Sequence, residues 1–104
     1  MQEIITVNRN EHYFAMSNYH LKDKRLSIQA KGLLTLLLSL PDDWEFSMEE
    51  LKGMMREEEA SIDKIIVELT AAGYFKSVVL RDEKGRIIKR EYFVYEKANT
   101  GKTA

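Results

Sequence analysis

The apolar positions of this chain change period along its length, and the changes predict three helices followed by a β-hairpin. From Ser27 the run SIQAKGLLTLLLSL is apolar at most positions, which favours a helix that is buried on most of its surface. Ser27 is expected to cap its N-terminus, and Pro41 follows just past its expected end. The apolar residues expected to be buried are Ile28, Ala30, Leu33, Leu34, Leu37 and Leu38.

Two further helices are predicted before Gly73. Ser47 and Glu50 form an S-x-x-E capping box, so a short second helix is expected to begin near Met48. The third helix has the clearest period in the chain, with apolar residues at i, i+3, i+4 and i+7. Gly73 is expected to end it as a C′ residue. The apolar residues presented by these two helices are Leu51, Met54, Met55, Ile62, Ile65, Ile66 and Leu69.

Beyond Gly73 the pattern becomes that of strands. YFKSVVLRDEKGRIIKREYFVYEK contains two runs of β-branched and aromatic residues joined by RDEKGR. Gly85 can adopt the left-handed conformation that closes a four-residue hairpin loop. Two shorter extended pieces are predicted upstream: a strand in HYFAMS, residues 12–17, and the segment PDDWEFS, in which Trp44 and Phe46 alternate.

The predicted order, a short strand and three helices before a hairpin, is that of an α+β winged helix-turn-helix domain. In such domains the third helix usually enters the major groove of DNA, and the hairpin, or wing, lies along the backbone or minor groove. We expect the domain to span residues 1–97 and residues 98–104 to form a flexible tail or the start of a linker. The predicted core consists of Leu33, Leu34, Leu37, Trp44, Leu51, Ile62, Ile66, Leu69 and Phe75.

Composition narrows the classes of function. The 104 residues suffice for one domain, and 44% hydrophobic with 32% charged residues is ordinary for a globular protein. The formal net charge is −1, so binding to nucleic acid would need local basic patches. The chain has no cysteine and therefore no disulfide or thiolate site. It shows neither a signal peptide nor an apolar stretch of membrane length, so we expect a cytoplasmic protein that does not bind membranes.

The sequence contains no convincing catalytic, cofactor-binding or metal-binding motif. TGKT at residues 100–103 lacks the first glycine of a P-loop, because Glu96 stands at that position. His12 and His20 have no acidic neighbours at metal-ligand spacing, which favours surface or packed positions for both. We therefore predict a protein that is not an enzyme and that uses no cofactor or metal.

Three segments of the chain carry a family resemblance: LKDKRLSIQAKGLLTLLLSLPDDWEFSMEELKGMM, IVELTAAGYF and LRDEKGRIIKREYFVYE. Together they resemble the winged-helix domain at the front of DnaD-like and RepA-like replication initiators of bacteria, phages and plasmids. The resemblance covers about residues 12–96, and its most specific part runs from Leu26 to Phe46. It implies a DNA-binding or replisome-assembly module, usually followed by a linker and a second domain, and NTGKTA resembles the beginning of such a linker.

The start of the third helix departs from that family. Where the family typically has a glycine followed by polar or basic residues, this chain has Glu58, Glu59 and Ala60, and Asp63 occupies a usually basic position. Residues 56–70 carry five acidic and two basic side chains, and DNA, with one negative charge per about 1.7 Å, would repel them. Three interpretations stay open. The acidic residues complement the helix dipole, they keep this face away from DNA or bring it to a basic protein, or they accept hydrogen bonds from cytosine.

The predicted hairpin has the opposite charge. Residues 76–97 carry seven basic and four acidic side chains, and a second basic group precedes and enters the first helix. Two other interpretations stay open, because strand edges carry lysine and arginine to prevent aggregation and KDKR is typical of a solvated loop. The predicted DNA-binding residues are Arg81, Lys84, Arg86, Lys89 and Arg90 in the wing, Lys22, Lys24 and Arg25 in the flank, and Ser61 and Lys64 in the third helix.

Two functions of different classes are consistent with these patterns. The first is a DNA-binding module of a replication initiator or replisome organiser that binds double-stranded DNA mainly through wing and flank. The second is a protein-interaction module that forms a homodimer or docks onto replisome proteins. For the second function, Tyr13, Phe14 and Tyr19 would supply aromatic anchors of the kind that interfaces favour, although core packing is the stronger expectation for Phe14.

Overall fold

The computed structural model describes residues 2–7, 15–40 and 47–99. Within these residues the protein is α+β, with three α-helices followed by a two-stranded antiparallel sheet. This order of helices and hairpin agrees with the prediction. The elements are a 3₁₀ turn (His20–Lys22), α1 (Ile28–Leu38), α2 (Met48–Gly53), α3 (Glu59–Ala71), β1 (Phe75–Arg81) and β2 (Ile87–Val94).

The two shorter extended pieces lie wholly or partly outside the described residues. Residues 12–14 of the predicted N-terminal strand lie outside, and residues 15–17 form no strand. The backbone N–H of Tyr19 donates to Ser17 Oγ at 3.3 Å, which turns the chain towards the 3₁₀ turn instead. Trp44 and Phe46 also lie outside the described residues. In the part that the structure describes, the sheet is the hairpin alone.

α1 begins where its cap predicts. Ser27 is extended, with φ −69° and ψ 164°, and its Oγ accepts a hydrogen bond from the backbone N–H of Ala30 at 3.1 Å. The expectation that Ile28 is buried is wrong, because Ile28 lies about 200° around the helix from Ala30 and its side chain is 82% exposed. The buried residues of α1 are Ala30, Leu33, Leu34 and Leu37.

The serine of the predicted capping box caps α2 in the structure. Ser47 Oγ accepts a hydrogen bond from Glu50 N at 3.1 Å, and the helix starts at Met48 as predicted. The carboxylate of Glu50 lies 3.4 Å from Ser47 Oγ. α2 buries Leu51 completely, whereas Met54 is 48% exposed.

α3 ends in the way that Gly73 predicts. Gly73 has φ 90°, its N–H donates to Thr70 O at 3.1 Å, and Tyr74 N donates to Leu69 O at 2.9 Å. These two bonds form a Schellman motif, which requires the left-handed conformation that glycine adopts most easily. Asn99 N donates to Gly73 O at 2.6 Å, so the chain after β2 lies against this helix end. A Cβ at Gly73 would lie 2.7 Å from Asn99 O.

The hairpin loop is shorter than predicted. Asp82 N donates to Arg86 O at 2.9 Å, so these two residues pair and leave a loop of residues 83–85. Gly85 N donates to Asp82 O at 3.0 Å, and Gly85 has φ 81°. The left-handed position predicted for Gly85 is therefore confirmed, in a three-residue rather than a four-residue loop.

One core joins the helices to the base of the hairpin. Phe75 begins β1 opposite Val94, and its ring packs against Tyr92 with the centroids 5.6 Å apart. Of the predicted core, Ile66 is only half-buried, and Trp44 lies outside the described residues. The buried apolar residues are Leu26, Ala30, Leu33, Leu34, Leu37, Leu51, Ile62, Leu69, Tyr74 and Phe75.

Candidate nucleic-acid interface

The hairpin tip, residues 81–86, is organised by an aspartate. Asp82 Oδ1 accepts hydrogen bonds from the backbone N–H groups of Lys84 and Arg86, both at 2.9 Å, and Asp82 Oδ2 accepts from Arg86 Nε at 2.8 Å. These bonds, led by the backbone N–H of Arg86, lower the pKa of Asp82. Arg81 Nη1 donates to Gly85 O at 2.9 Å. Among the described residues, the Lys84 ammonium forms no ion pair and stays available for an external anion.

The two strand cations predicted to bind DNA lie on opposite faces of the sheet. Lys89 pairs across the sheet with Leu80 and Arg90 pairs with Val79, so their side chains alternate. Lys89 Nζ forms an ion pair with Glu91 at 3.0 Å. A duplex that lies against one face of the hairpin therefore cannot contact both cations.

The three predicted flank residues are brought together in an open groove of about 800 Å³, which we call the basal groove. It lies between the loop that precedes α1 and the chain just after β2, near the base of the hairpin. Lys97 joins the flank cations in its lining, although the sequence separates them by about seventy residues. The groove is lined by Ser17, Asn18, Tyr19, Lys22, Asp23, Lys24, Arg25 and Lys97.

A buried tyrosine and an aspartate hold Arg25 in place. The phenol of Tyr74 donates to Asp23 Oδ2 at 2.7 Å, and Arg25 binds the same carboxylate through Nε at 3.0 Å and Nη2 at 2.8 Å. The hydrogen bonds from Arg25 hold the pKa of the Asp23 carboxyl well below its usual range. Burial, with the bond to Asp23, raises the pKa of Tyr74 to about 12. Asp23 is thus satisfied internally, and no salt bridge is formed by Lys22, Lys24 or Lys97 in the described part of the chain.

The hairpin tip and the basal groove lie at opposite ends of the hairpin. β1 has seven residues, which at about 3.3 Å per residue span roughly 20 Å. The tip begins at the last residue of β1, whereas Lys97 comes three residues after the end of β2. The predicted basic residues therefore form two separate patches rather than one surface.

Two of the acidic side chains on α3 are engaged within the domain. Glu68 accepts hydrogen bonds from Ser27 N at 2.6 Å and from Ser27 Oγ at 2.8 Å, and so joins α3 to the start of α1. Asp63 forms an ion pair with Lys52 of α2 at 2.8 Å, which brings a cation to the outer face of α3. This hydrogen-bonded pairing raises the pKa of Lys52.

The exposed start of α3 retains the remaining charges. Glu58 occupies the N-cap position without capping through its side chain, and Glu59 lies in the first turn. Ser61 and Lys64, the predicted contacts on this helix, are both exposed. Within the described residues none of these four side chains forms an ion pair or a side-chain hydrogen bond. A partner approaching this helix would therefore meet two free carboxylates beside one free ammonium.

His20 is a packed residue, which is one of the two positions that the sequence favours for it. Its side chain is fully buried. Its Nε2 lies 2.8 Å from Thr35 Oγ1, and that hydroxyl donates to Lys31 O at 2.7 Å. Thr35 must then accept from His20, so the proton lies on Nε2. The buried Nδ1 has no partner among the described atoms. Burial, and secondarily Lys31, lowers the pKa of His20. This histidine fixes the 3₁₀ turn, and with it the groove-lining loop, onto α1.

Sequence reasoning did not place Lys97 in the site, nor Glu68, Asp63 and Lys52 in their internal pairs. No local signal identifies them, because each depends on a tertiary contact.

Comparisons with protein-family models, with curated proteins and with solved structures give no match. No helix in the described ranges is long and apolar enough to cross a membrane. The same ranges contain no group of His, Asp or Glu side chains that could hold a metal ion.

Proposed function

We propose that this domain is a DNA-binding winged-helix module of a replication initiator or replisome organiser. The observation that carries the proposal is the order of three helices followed by an antiparallel hairpin that presents cations at both ends. In winged helices the hairpin contacts the DNA backbone, and phosphates are bound by lysine and arginine side chains. On this proposal the protein acts in the cytoplasm.

Local charge supports contact through the hairpin and flank. Because the net charge is −1, attraction to DNA must come from patches. Within the described residues, no ion pair is formed by Lys84 at the tip or by Lys22 and Lys24 in the basal groove. A spacing of roughly 20 Å between these patches exceeds the width of either groove of B-DNA, about 12 and 6 Å, so the two patches would contact phosphates separated by a groove.

α3 would contribute less than a recognition helix usually does. Ser61 and Lys64 are exposed and can contact phosphates or bases, but Glu58 and Glu59 stand at the end of the helix that would enter the groove. Each carboxylate near the duplex opposes the phosphate field. We therefore assign most of the affinity to the hairpin tip and the basal groove.

A salt titration of a labelled duplex tests this assignment. About four to six phosphate contacts predict a log–log slope of roughly −4 to −5, and each lost contact should reduce the slope by about 0.9. Lys84→Ala and Lys24→Ala remove free cations from the two patches. Lys89→Ala, whose ammonium is already paired with Glu91, is the matched control and should change the slope least. Absence of binding at low salt, or equal slopes for all variants, contradicts the proposal.

Exposed apolar side chains on one face of the hairpin, which also carries Lys76, Lys89 and Glu91, favour a second candidate, self-association. Leu80 and Phe93 lie on the same face of the hairpin, with Val78 between them, and are 44% and 41% exposed. Of the three predicted aromatic anchors, Tyr19 is exposed, whereas Tyr13 and Phe14 lie outside the described residues. A second copy of this chain could cover this face. Sedimentation at high protein concentration tests it: a dimer that Leu80→Glu dissociates supports this candidate, and a strict monomer eliminates it.

A further inference from the structure

We propose that the basal groove binds unpaired nucleotides of a single nucleic-acid strand, with phosphates on its lysines and a base stacked on Tyr19. This inference rests on the proposed nucleic-acid function and specifies one site of it. A groove of about 800 Å³ has the size of a ligand pocket, so an unpaired base can enter it, whereas a double helix would contact only its exposed lysines.

The charge of the groove suits a phosphate chain. Lys22, Lys24 and Lys97 line it without an ion pair within the described ranges. The single carboxylate in the lining, Asp23, is occupied by Arg25 and by the Tyr74 phenol. Among the described residues, the groove therefore presents three unpaired ammonium groups, and its one acidic group has its oxygens engaged by Arg25 and Tyr74. Such a lining attracts a polyanion more strongly than a neutral ligand.

Tyr19 supplies the aromatic surface that distinguishes a strand site from a simple phosphate site. It lines the groove and is 46% exposed. The fully buried Tyr74 ring lies behind it, with centroids 6.4 Å apart and planes tilted by 56°. Tyr19 is thus held from one side and open on the other. Single-stranded nucleic acids are bound by this combination of a basic groove and a stacking ring, whereas bases in a duplex have both faces covered.

Variants of one tyrosine separate stacking from charge. Binding of a labelled oligothymidine strand is measured by fluorescence anisotropy, beside a duplex of the same length. Tyr19→Leu should weaken strand binding about tenfold, because stacking on the ring is lost, and Tyr19→Phe should retain it. Lys97→Ala should reduce the salt slope for the strand by about 0.7. Circular dichroism checks that each variant is folded. Lys84→Ala, at the other end of the hairpin, should affect the duplex more than the strand.

Each other outcome overturns the inference and has a different consequence for the proposed function. Unchanged strand binding in Tyr19→Leu and Lys97→Ala, with duplex binding still reduced by Lys84→Ala, removes the strand site and leaves the DNA-binding module. Equal losses for strand and duplex in the groove variants show a backbone phosphate site only. Displacement of the strand by inorganic phosphate or thymidine monophosphate at comparable concentration shows a site for a free anion or nucleotide. Binding of neither strand nor duplex at low salt ends both proposals.

Discussion

α3 and the basal groove both carry several charged side chains, but they differ in how these charges are paired within the domain. On α3, Glu68 binds the start of α1 and Asp63 binds Lys52, so two of the acidic side chains of this helix make contacts within the domain. In the described lining of the groove, the one carboxylate is bound by Arg25 and Tyr74, and three exposed ammonium groups form no ion pair. Among the described residues, the basal groove therefore presents unpaired charge of one sign, whereas the start of α3 presents both signs.

The difference shows that a count of charges along a segment does not describe the field that a partner meets. Residues 56–70 carry five acidic side chains, yet Glu68 accepts two hydrogen bonds from Ser27 at the start of α1 and Asp63 has a cation 2.8 Å away. The hairpin shows the same effect with opposite sign, because Arg86 and Lys89 are paired with Asp82 and Glu91. The patches that matter are those whose charges have no internal partner.

The largest expected effect is that of Glu68→Ala. The change leaves the N–H and hydroxyl of Ser27 without their acceptor at a partly buried helix start, which should cost about 2 kcal/mol of stability. Urea denaturation measures the loss. Glu58→Ala removes an exposed carboxylate that makes no side-chain hydrogen bond, and serves as the control with little expected change. Equal stability of Glu68→Ala and the wild type would show that the contact does not join α3 to α1.

The Glu68 contact also illustrates how far the sequence predicts this fold. The caps at Ser27 and Ser47 and the glycines at 73 and 85 act on neighbouring backbone, and local chemistry predicts each correctly. The tertiary partner of Glu68 is 41 residues away, and no periodicity encodes it. The same limit explains why Lys22, Lys24 and Arg25 were predicted as a group while Lys97, which completes their groove, was not.

A smaller effect, on DNA affinity, should follow Glu59→Gln. If α3 approaches the duplex, removing one carboxylate about 8 Å from a phosphate should raise affinity two- to threefold at low salt. Glu49→Gln is the matched control, because Glu49 is also an exposed acidic residue in the first turn of a helix. Equal stability losses in both variants, with unchanged DNA binding, would indicate that the acidic start serves only the helix dipole. Reduced affinity for selected sequences would indicate that Glu59 accepts a hydrogen bond from a base.

The stability of the protein should depend on pH through His20, which holds the groove-lining loop on α1. Its pKa is lowered in the folded protein, so the stability that neutral His20 contributes is complete above its unfolded value of about 6.5 and is lost as pH falls through the folded value. The melting temperature should therefore decrease between pH 7.5 and 5.5. His20→Gln should reduce this dependence, and His12→Gln, which removes the other histidine of the chain, should not. An unchanged pH dependence in His20→Gln would show that burial of this imidazole is not linked to folding.

The smallest expected effect is the coupling between Lys52 and Asp63. The Asp63 side chain is 61% exposed, so water and salt screen its attraction to the ammonium group, although the two atoms lie 2.8 Å apart. A double-mutant cycle with Lys52→Met and Asp63→Asn should give a coupling energy far below the loss caused by Glu68→Ala, and added salt should reduce it further. A coupling as large as that loss would make Asp63 a structural residue like Glu68. A small one leaves its charge exposed to any partner, so that Asp63 acts with Glu58 and Glu59 in opposing a phosphate backbone.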